Sequence, residues 1–165
     1  MAHKHIPATV DAARELLEAY LAARYEVRGP DGTFLLRPGQ MAPARLAEVL
    51  PGGCWTVITA WNPGSQVCTG AENRHADAAL QSELDGLGLR RLPTLASDAD
   101  GNWPEPGWLV ANLPATGADA LARRFGQAAV LHWRAGEPVG LRMYLTPPDG
   151  VADPGGPVEW IAAKS

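Results

Sequence analysis

The chain has 165 residues and a net charge of −4, the size of one compact domain with no broad basic surface. With 46% hydrophobic and 19% charged residues it can bury a core without a metal or disulfide staple, and it is not a disordered chain. These totals exclude nucleic-acid binding driven by charge. With no apolar run near the ~20 residues that span a bilayer, and no apolar signal-peptide core in MAHKHIPATV, they lead us to expect a soluble, cytoplasmic protein with no membrane partner.

Thr9 reads as the N-cap of a first helix reaching about Arg24, with Ala13, Leu16, Leu17, Tyr20 and Leu21 as its apolar stripe. YEVRGPDGTFLLRPG then reads as a hairpin turned by Pro-Asp-Gly, and a short helix from Pro43 to Leu50 ends at Pro51-Gly52-Gly53. Cys54 to Trp61 is apolar on both faces, which places it in the middle of a sheet. A helix follows from Gly70 to Gly86, then an extended segment from Leu89 to Ala96 and a strand around Trp108 to Asn112. Thr116 is expected to cap a helix whose apolar face is Ala118, Leu121, Ala122 and Phe125, with Gly126 as its stop. AAVLHW and VGLRMYL close the fold as a hairpin across RAGEP. Single helices alternating with strand pairs predict one α+β domain over 1–145: a mixed, largely antiparallel sheet with helices packed on its faces. Residues 146–165 read as a Pro/Gly-rich tail, irregular apart from Trp160 and Ile161 docking back.

The segment between the central strand and the long helix is the most polar part of the core sequence. Asn62-Pro63-Gly64-Ser65 fits a type II turn, with proline presetting the first central residue and glycine taking the positive φ of the second. Thr69 to Glu72 is a capping-box pattern, which accounts for Glu72 without any catalytic duty, although a carboxylate there is also a candidate acid–base. Asn73 falls within about 20° of Leu80 on the helical wheel, so its amide lies on the buried side of the first turn and must find partners. Two readings stand: it braces the turn backbone, or it faces a pocket. Arg74 points away from that face, toward solvent or the pocket rim. A helix start with Ser65, Thr69 and Arg74 nearby suits an anion, though no phosphate-loop pattern is present.

Further along, Glu105 sits between prolines and tryptophans in NWPEPGW, a stiff aromatic setting for a carboxylate in acid–base chemistry. Gln127 follows the helix-ending glycine and can bond either a neighbouring loop or a ligand. His3, His5, His75 and His132 show no ligand spacing, so neither a metal site nor a cofactor is expected. Cys54 and Cys68 are too few for a disulfide framework and read as reduced thiols.

ITAWNPGSQ, the pair Glu72-Asn73, WPE and RRFGQAAV together resemble the bacterial domain-of-unknown-function family numbered 3293, with the similarity running from about Tyr20 to Trp133. The resemblance implies that Thr59, Trp61, Asn62, Pro63, Glu72, Asn73, Glu105 and Gln127 form one constellation, and it assigns them no roles. The combined expectation is a pocket at the end of the Cys54 to Trp61 strand. Thr59, Asn62, Ser65, Asn73, Arg74 and Gln127 bind a ligand there, and Glu105 or Glu72 is the acid–base group if the protein is an enzyme. The ligand class is a polar or anionic small molecule of nucleotide or sugar-phosphate type. A non-catalytic ligand-binding or regulatory domain, or a module that docks a protein partner, is the alternative.

Overall fold

The structure, a computed structural model, describes residues 10–150 and 156–161. The elements in chain order are α1 (Val10–Ala22), β1 (Arg24–Gly29), β2 (Gly32–Leu36), α2 (Ala44–Val49), β3 (Cys54–Ile58), a single 3-10 turn (Pro63–Ser65), α3 (Gly70–Gly86), β4 (Arg91–Ser97), β5 (Glu105–Ala111), α4 (Ala115–Arg124), β6 (Ala129–Arg134), β7 (Gly140–Met143) and β8 (Val158–Trp160). The eight strands form one sheet in the order β2-β1-β4-β5-β3-β6-β7-β8. Every neighbouring pair is antiparallel except β7 and β8. This is the expected α+β domain, and β3 does lie in the interior of the sheet.

Both faces of the sheet are covered, which is why β3 is apolar on both sides. Leu17 of α1 with Leu46 and Leu50 of the α2 region pack over Tyr25, Val27, Trp55, Val57, Leu109 and Leu131. On the opposite face, Leu80 and Leu84 of α3 and Ala118, Leu121 and Ala122 of α4 pack over Ile58, Val110 and Val130. Strand parity therefore sends Glu105, Gly107 and Leu109 toward α1, and Trp108 and Val110 toward α3. Gly107 is held to glycine by crowding: a Cβ there would lie 2.7 Å from the Ile58 carbonyl oxygen.

Several boundaries differ from the sequence reading. β3 ends at Ile58, three residues before Trp61, because the chain leaves the sheet to make the polar turn. β5 starts earlier than expected and takes in Glu105-Pro106-Gly107, so Glu105 stands at a strand end and not in a free loop. Pro114, with ψ 156, takes the N-cap position of α4 and Thr116 lies inside the helix; no side chain caps this end. Pro43 likewise precedes α2 as its cap. Leu87 is 57% exposed because it falls at the C-cap of α3. In the tail, Val158–Trp160 pairs with β7 and the Ile161 amide donates to the Met143 carbonyl. The Thr9 cap lies outside the described residues. Among the described residues no helix is long and apolar enough to cross a membrane.

Candidate functional site

Beyond Ile58 the chain is pinned to β5 before it turns. The Thr59 hydroxyl donates to the Pro106 carbonyl at 2.6 Å and accepts from the Trp61 amide at 3.0 Å. Asn62 then adopts the left-handed conformation (φ 50, ψ 58), followed by Gly64 (φ 71, ψ 15) and Ser65 (φ 53). The glycine conformation is that expected at the second central position of a type II turn. Asparagine tolerates this region better than other non-glycine residues, but Ser65 is less common there, since left-handed backbone costs most L-residues about 1–2 kcal/mol. The turn is braced from behind by the end of α4: the Gly64 amide donates to the Gly126 carbonyl at 2.8 Å. The Gln127 side-chain Nε2 donates to the Trp61 and Phe125 carbonyls at 3.1 and 3.2 Å. Gly126 is itself left-handed (φ 65), and a Cβ on it would reach 3.0 Å from Pro63 Cβ, so α4 presses directly on the turn.

In front of the turn, two amides and a carboxylate form a relay. Asn73, 3% exposed on the first turn of α3, accepts from the Asn62 backbone amide through Oδ1 at 2.8 Å. Its Nδ2 donates to Asn62 Oδ1 at 3.0 Å and to the Cys68 carbonyl at 3.4 Å. Asn62 Oδ1 also accepts from the Cys68 amide at 3.1 Å, and Asn62 Nδ2 donates to Glu105 Oε1 at 3.0 Å. The amide of α3 thus sets the rotamer of Asn62, and Asn62 sets the position of the Glu105 carboxylate. The two readings of Asn73 merge, because it braces the turn and a concavity lies beside it.

That concavity has a volume of about 290 Å³ and is lined by Asn62, Ser65, Cys68, Asn73 and Glu105, with Trp61, Val67, Trp103 and Pro104 as its apolar walls. Trp103 is 49% exposed and has a φ of 55, so this wall too stands on left-handed backbone. Strand register brings a second aromatic layer to Glu105: Glu105 pairs with Ala96 and Ala96 with Tyr25, all on the α1 face. The Tyr25 hydroxyl donates to the Tyr20 carbonyl at 2.8 Å, and the Tyr20 hydroxyl pairs with the Ser65 side chain. Burial, and then the Glu105 charge, hold the Tyr20 phenol well above the usual tyrosine range, against a smaller opposing pull from the Ser65 hydrogen bond. Burial, with Tyr20 and Glu105 adding to it, does the same to Tyr25. Both phenols are neutral at any physiological pH, and smaller cavities of about 80 and 50 Å³ beside them are also lined by Glu105.

The structure brings Asn62, Ser65, Asn73 and Glu105 together in one cavity. Thr59 and Gln127 stand behind the turn as braces and line the adjoining 50 Å³ cavity. Glu72 and Arg74 are not in the lining. Glu72 completes the capping box, accepting from the Thr69 amide and hydroxyl at 2.8 Å. That backbone hydrogen bond, with the hydroxyl second, holds its carboxyl below the usual value. Arg74 is exposed and folds back over the helix start, its Nη1 3.0 Å from where a Gly70 Cβ would be. Tyr20, Tyr25, Trp103 and Cys68 join the site without having been singled out as site residues. Tyr20 had looked like one more apolar-stripe residue of α1, and its hydroxyl was the only available signal.

Residues 58–130 match the model of a family described as Protein of unknown function (DUF3293), which supports the family resemblance over a narrower span than the motifs suggested. The matched region runs from the last residue of β3 into β6, so it contains the turn, Asn73, Glu105 and Gln127 but neither Tyr20 nor Tyr25. No curated protein and no solved structure matches the chain.

Proposed function

We propose that the cavity between the 3-10 turn, the start of α3 and the start of β5 binds a small polar organic molecule. Glu105 is the polar anchor in this reading, and Trp61 and Trp103 are the walls. One observation carries it. Four non-glycine residues have positive φ among the described residues, and three of them, Asn62, Ser65 and Trp103, line this cavity. Such backbone persists where the surroundings force it, and it gathers at sites that must hold a fixed geometry. The volume, about 290 Å³, lies near the lower end of the ~300–1,000 Å³ usual for ligand pockets, which suits a small molecule better than a peptide.

A broader cleft of about 650 Å³ runs along β6, β7 and β8, but of its two arginines Arg142 is tied to Asp119 and Glu159 and Arg134 faces Glu137 at 3.9 Å, and none of the non-glycine residues lining it has a positive φ. Placing Arg74 outside the lining removes the support for a nucleotide or sugar phosphate. The unpaired thiols Cys54 and Cys68 suit a reducing compartment, and on that ground we assign the protein to the cytoplasm.

The test is a thermal-shift screen of amines, nucleosides, sugars, amino acids and sugar phosphates on the full chain. A ligand at 100 times its Kd adds about 2.7 kcal/mol of stability, a visible shift. A hit lost in Trp103→Gly supports the site, and the absence of any hit sinks the reading. Catalysis is a second reading of the same carboxylate, favoured by the fixed Asn62 donor that orients it. A bound compound that wild type consumes, and that Glu105→Gln leaves intact, establishes it; a bound compound that wild type leaves unchanged removes it.

A further inference from the structure

We propose that the open edge of β2 is a docking surface for β2 of a second copy of this chain. The two strands pair antiparallel about a two-fold axis at Phe34, joining two sheets into one. The surface is separate from the cavity described above, since no residue of β2 lines it.

β2 ends the sheet on one side and β8 on the other. An edge strand presents a row of unpaired backbone groups, and proteins blunt such edges with charges, proline, bulges or brevity. β8 is blunted: it has three residues, carries Glu159 at its centre and follows Pro157. β2 is not. Its five residues are Gly-Thr-Phe-Leu-Leu, without charge or proline, and its register against β1 runs unbroken from Gly32 to Leu36. Leu35 stands on it 38% exposed.

Hairpin geometry says which backbone groups are free. Pro30-Asp31 is a two-residue loop, so Gly29 and Gly32, which close it, form a hydrogen-bonded pair. Bonded and non-bonded pairs alternate along an antiparallel ladder. Phe34 and Leu36 therefore bond to β1, and the N–H and C=O of Thr33 and Leu35 point out to the open edge. An axis at Phe34 sets Thr33 of each copy opposite Leu35 of the other, so that every free N–H meets a free C=O. Phe34 then faces its own copy in a non-bonded pair, the closer of the two kinds, and an aromatic pair stabilises such a contact.

Charge selects this register. Asp31 and Arg37 lie three positions either side of Phe34, so the axis sets each opposite the other's copy. Arg37 is exposed and has no ion pair among the described residues, and Asp31 has a 3.3 Å contact with Arg45 in which both side chains are mostly exposed. Moving the axis to Thr33 or Leu35 would set Asp31 opposite Leu35 or Gly39 and lose both charge pairs.

The experiment is sedimentation equilibrium of the full chain from about 5 to 500 µM, because a short edge makes a small interface and a weak dimer. The expected wild-type mass climbs from near 17.5 kDa toward twice that value as concentration rises. Leu35→Pro deletes an outward N–H that the monomer does not use, a position where an edge strand tolerates proline, and should keep the chain monomeric throughout. Arg37→Asp sets like charges face to face and should weaken association about tenfold or more. Asp31→Arg combined with Arg37→Asp exchanges the charges and should restore association to within about threefold of wild type. Asp31 is not in left-handed backbone, so the turn accepts the change. A wild type that stays near 17.5 kDa at every concentration overturns the proposal. So does a wild-type dimer that Leu35→Pro and Arg37→Asp both leave intact, since its interface lies elsewhere. Should Leu35→Pro fail to fold, as circular dichroism reports, the charge variant and its exchange decide alone.

Discussion

Two polar networks are embedded in this molecule, one within the α4 face of the sheet and one that runs from α3 round the end of the sheet to the α1 face, and they are built on opposite principles. On the α4 face, Asp119 receives two hydrogen bonds from the Arg142 guanidinium, at 2.9 and 2.8 Å, and one from the Tyr144 hydroxyl at 2.7 Å. Glu159 of β8 takes a third Arg142 donor at 2.7 Å, and the Arg123 guanidinium stacks 5.5 Å above the Tyr144 ring. Opposite charges meet here, and the helix and strands that carry them are regular. The Asn73–Asn62–Glu105 relay has a single charge, aromatic walls, left-handed backbone on both sides and a cavity in front of it. Buried polar groups alone do not mark a function. A network closed on itself locks elements together, whereas in the binding reading proposed above the relay fixes the Glu105 carboxylate at the wall of a cavity.

The sharpest way to break the comparison is to open the lock. Asp119→Ala leaves the largely buried Arg142 with Glu159 alone, and we expect a loss of about 3 kcal/mol by urea unfolding, the low end for stripping one partner from a buried pair. Ligand binding should be unchanged in the same variant. A loss below about 1 kcal/mol would mean that the pair is effectively solvated and that the contrast drawn here is wrong.

The relay predicts a smaller stability effect with a larger functional one. Asn73→Ala removes the acceptor of the Asn62 amide and the donor to Asn62 Oδ1, and should cost about 2 kcal/mol through polar groups left unsatisfied. With Asn62 no longer held, Glu105 loses its fixed position, so any ligand found for the cavity should bind at least about tenfold more weakly. Unchanged affinity in a folded Asn73→Ala would show that the relay does not position the anchor.

How much of this contrast could be read beforehand follows the range of the interactions. The capping box at Thr69 to Glu72, the glycine turn and the hairpins depend on residues a few positions apart, and each was visible in local pattern. Asn73 was visible because an amide on an apolar helical face is an anomaly. The meeting of Glu105 with Tyr25 depends on the register of three strands, β1, β4 and β5, joined in an order that does not follow the chain. Tyr20 reaches Ser65 only because α1 packs on that same face. Arg74 shows a limit of the same kind: helical phase turned it toward solvent or the pocket rim, and its exposed side chain folds over Gly70. Phase gives the direction of Cβ, not where the rest of a long side chain goes.

Trp103 separates function from stability most directly. Its backbone is left-handed and its side chain half exposed, so glycine relieves strain while removing a wall. Trp103→Gly should leave unfolding free energy within about 1 kcal/mol of wild type or above it, because strain relief opposes the added entropy of the unfolded chain. It should also abolish binding in the cavity. A larger fall would make Trp103 a packing residue and remove it from the functional half of the comparison.

The smallest effect tests the lock through pH. His132 on β6 shares Nδ1 with the Thr56 hydroxyl at 2.9 Å, on the same face as Arg142 and Asp119. Burial first, and then the Arg142 charge, hold its pKa below the ordinary 6.5, with Arg134 adding to the depression and Asp119 and Glu159 opposing it. The folded state therefore binds this proton less readily than the unfolded chain. The associated stability is present above the unfolded value near 6.5 and is lost as pH falls through the lower folded value. Asp119 acts in the same direction at lower pH. Burial pushes its pKa up, but hydrogen bonds from Arg142 and Tyr144, together with the arginine charges, outweigh that and leave it below 3.8. Its contribution survives until acid reaches that lower range. Urea midpoints measured from pH 8 downward should begin to fall just below pH 6.5, and His132→Gln should remove that first decline while leaving the acid one in place. A midpoint that rises on mild acidification would mean that His132 gains its proton more easily in the fold, which is the behaviour of a group facing Asp119 and not Arg142.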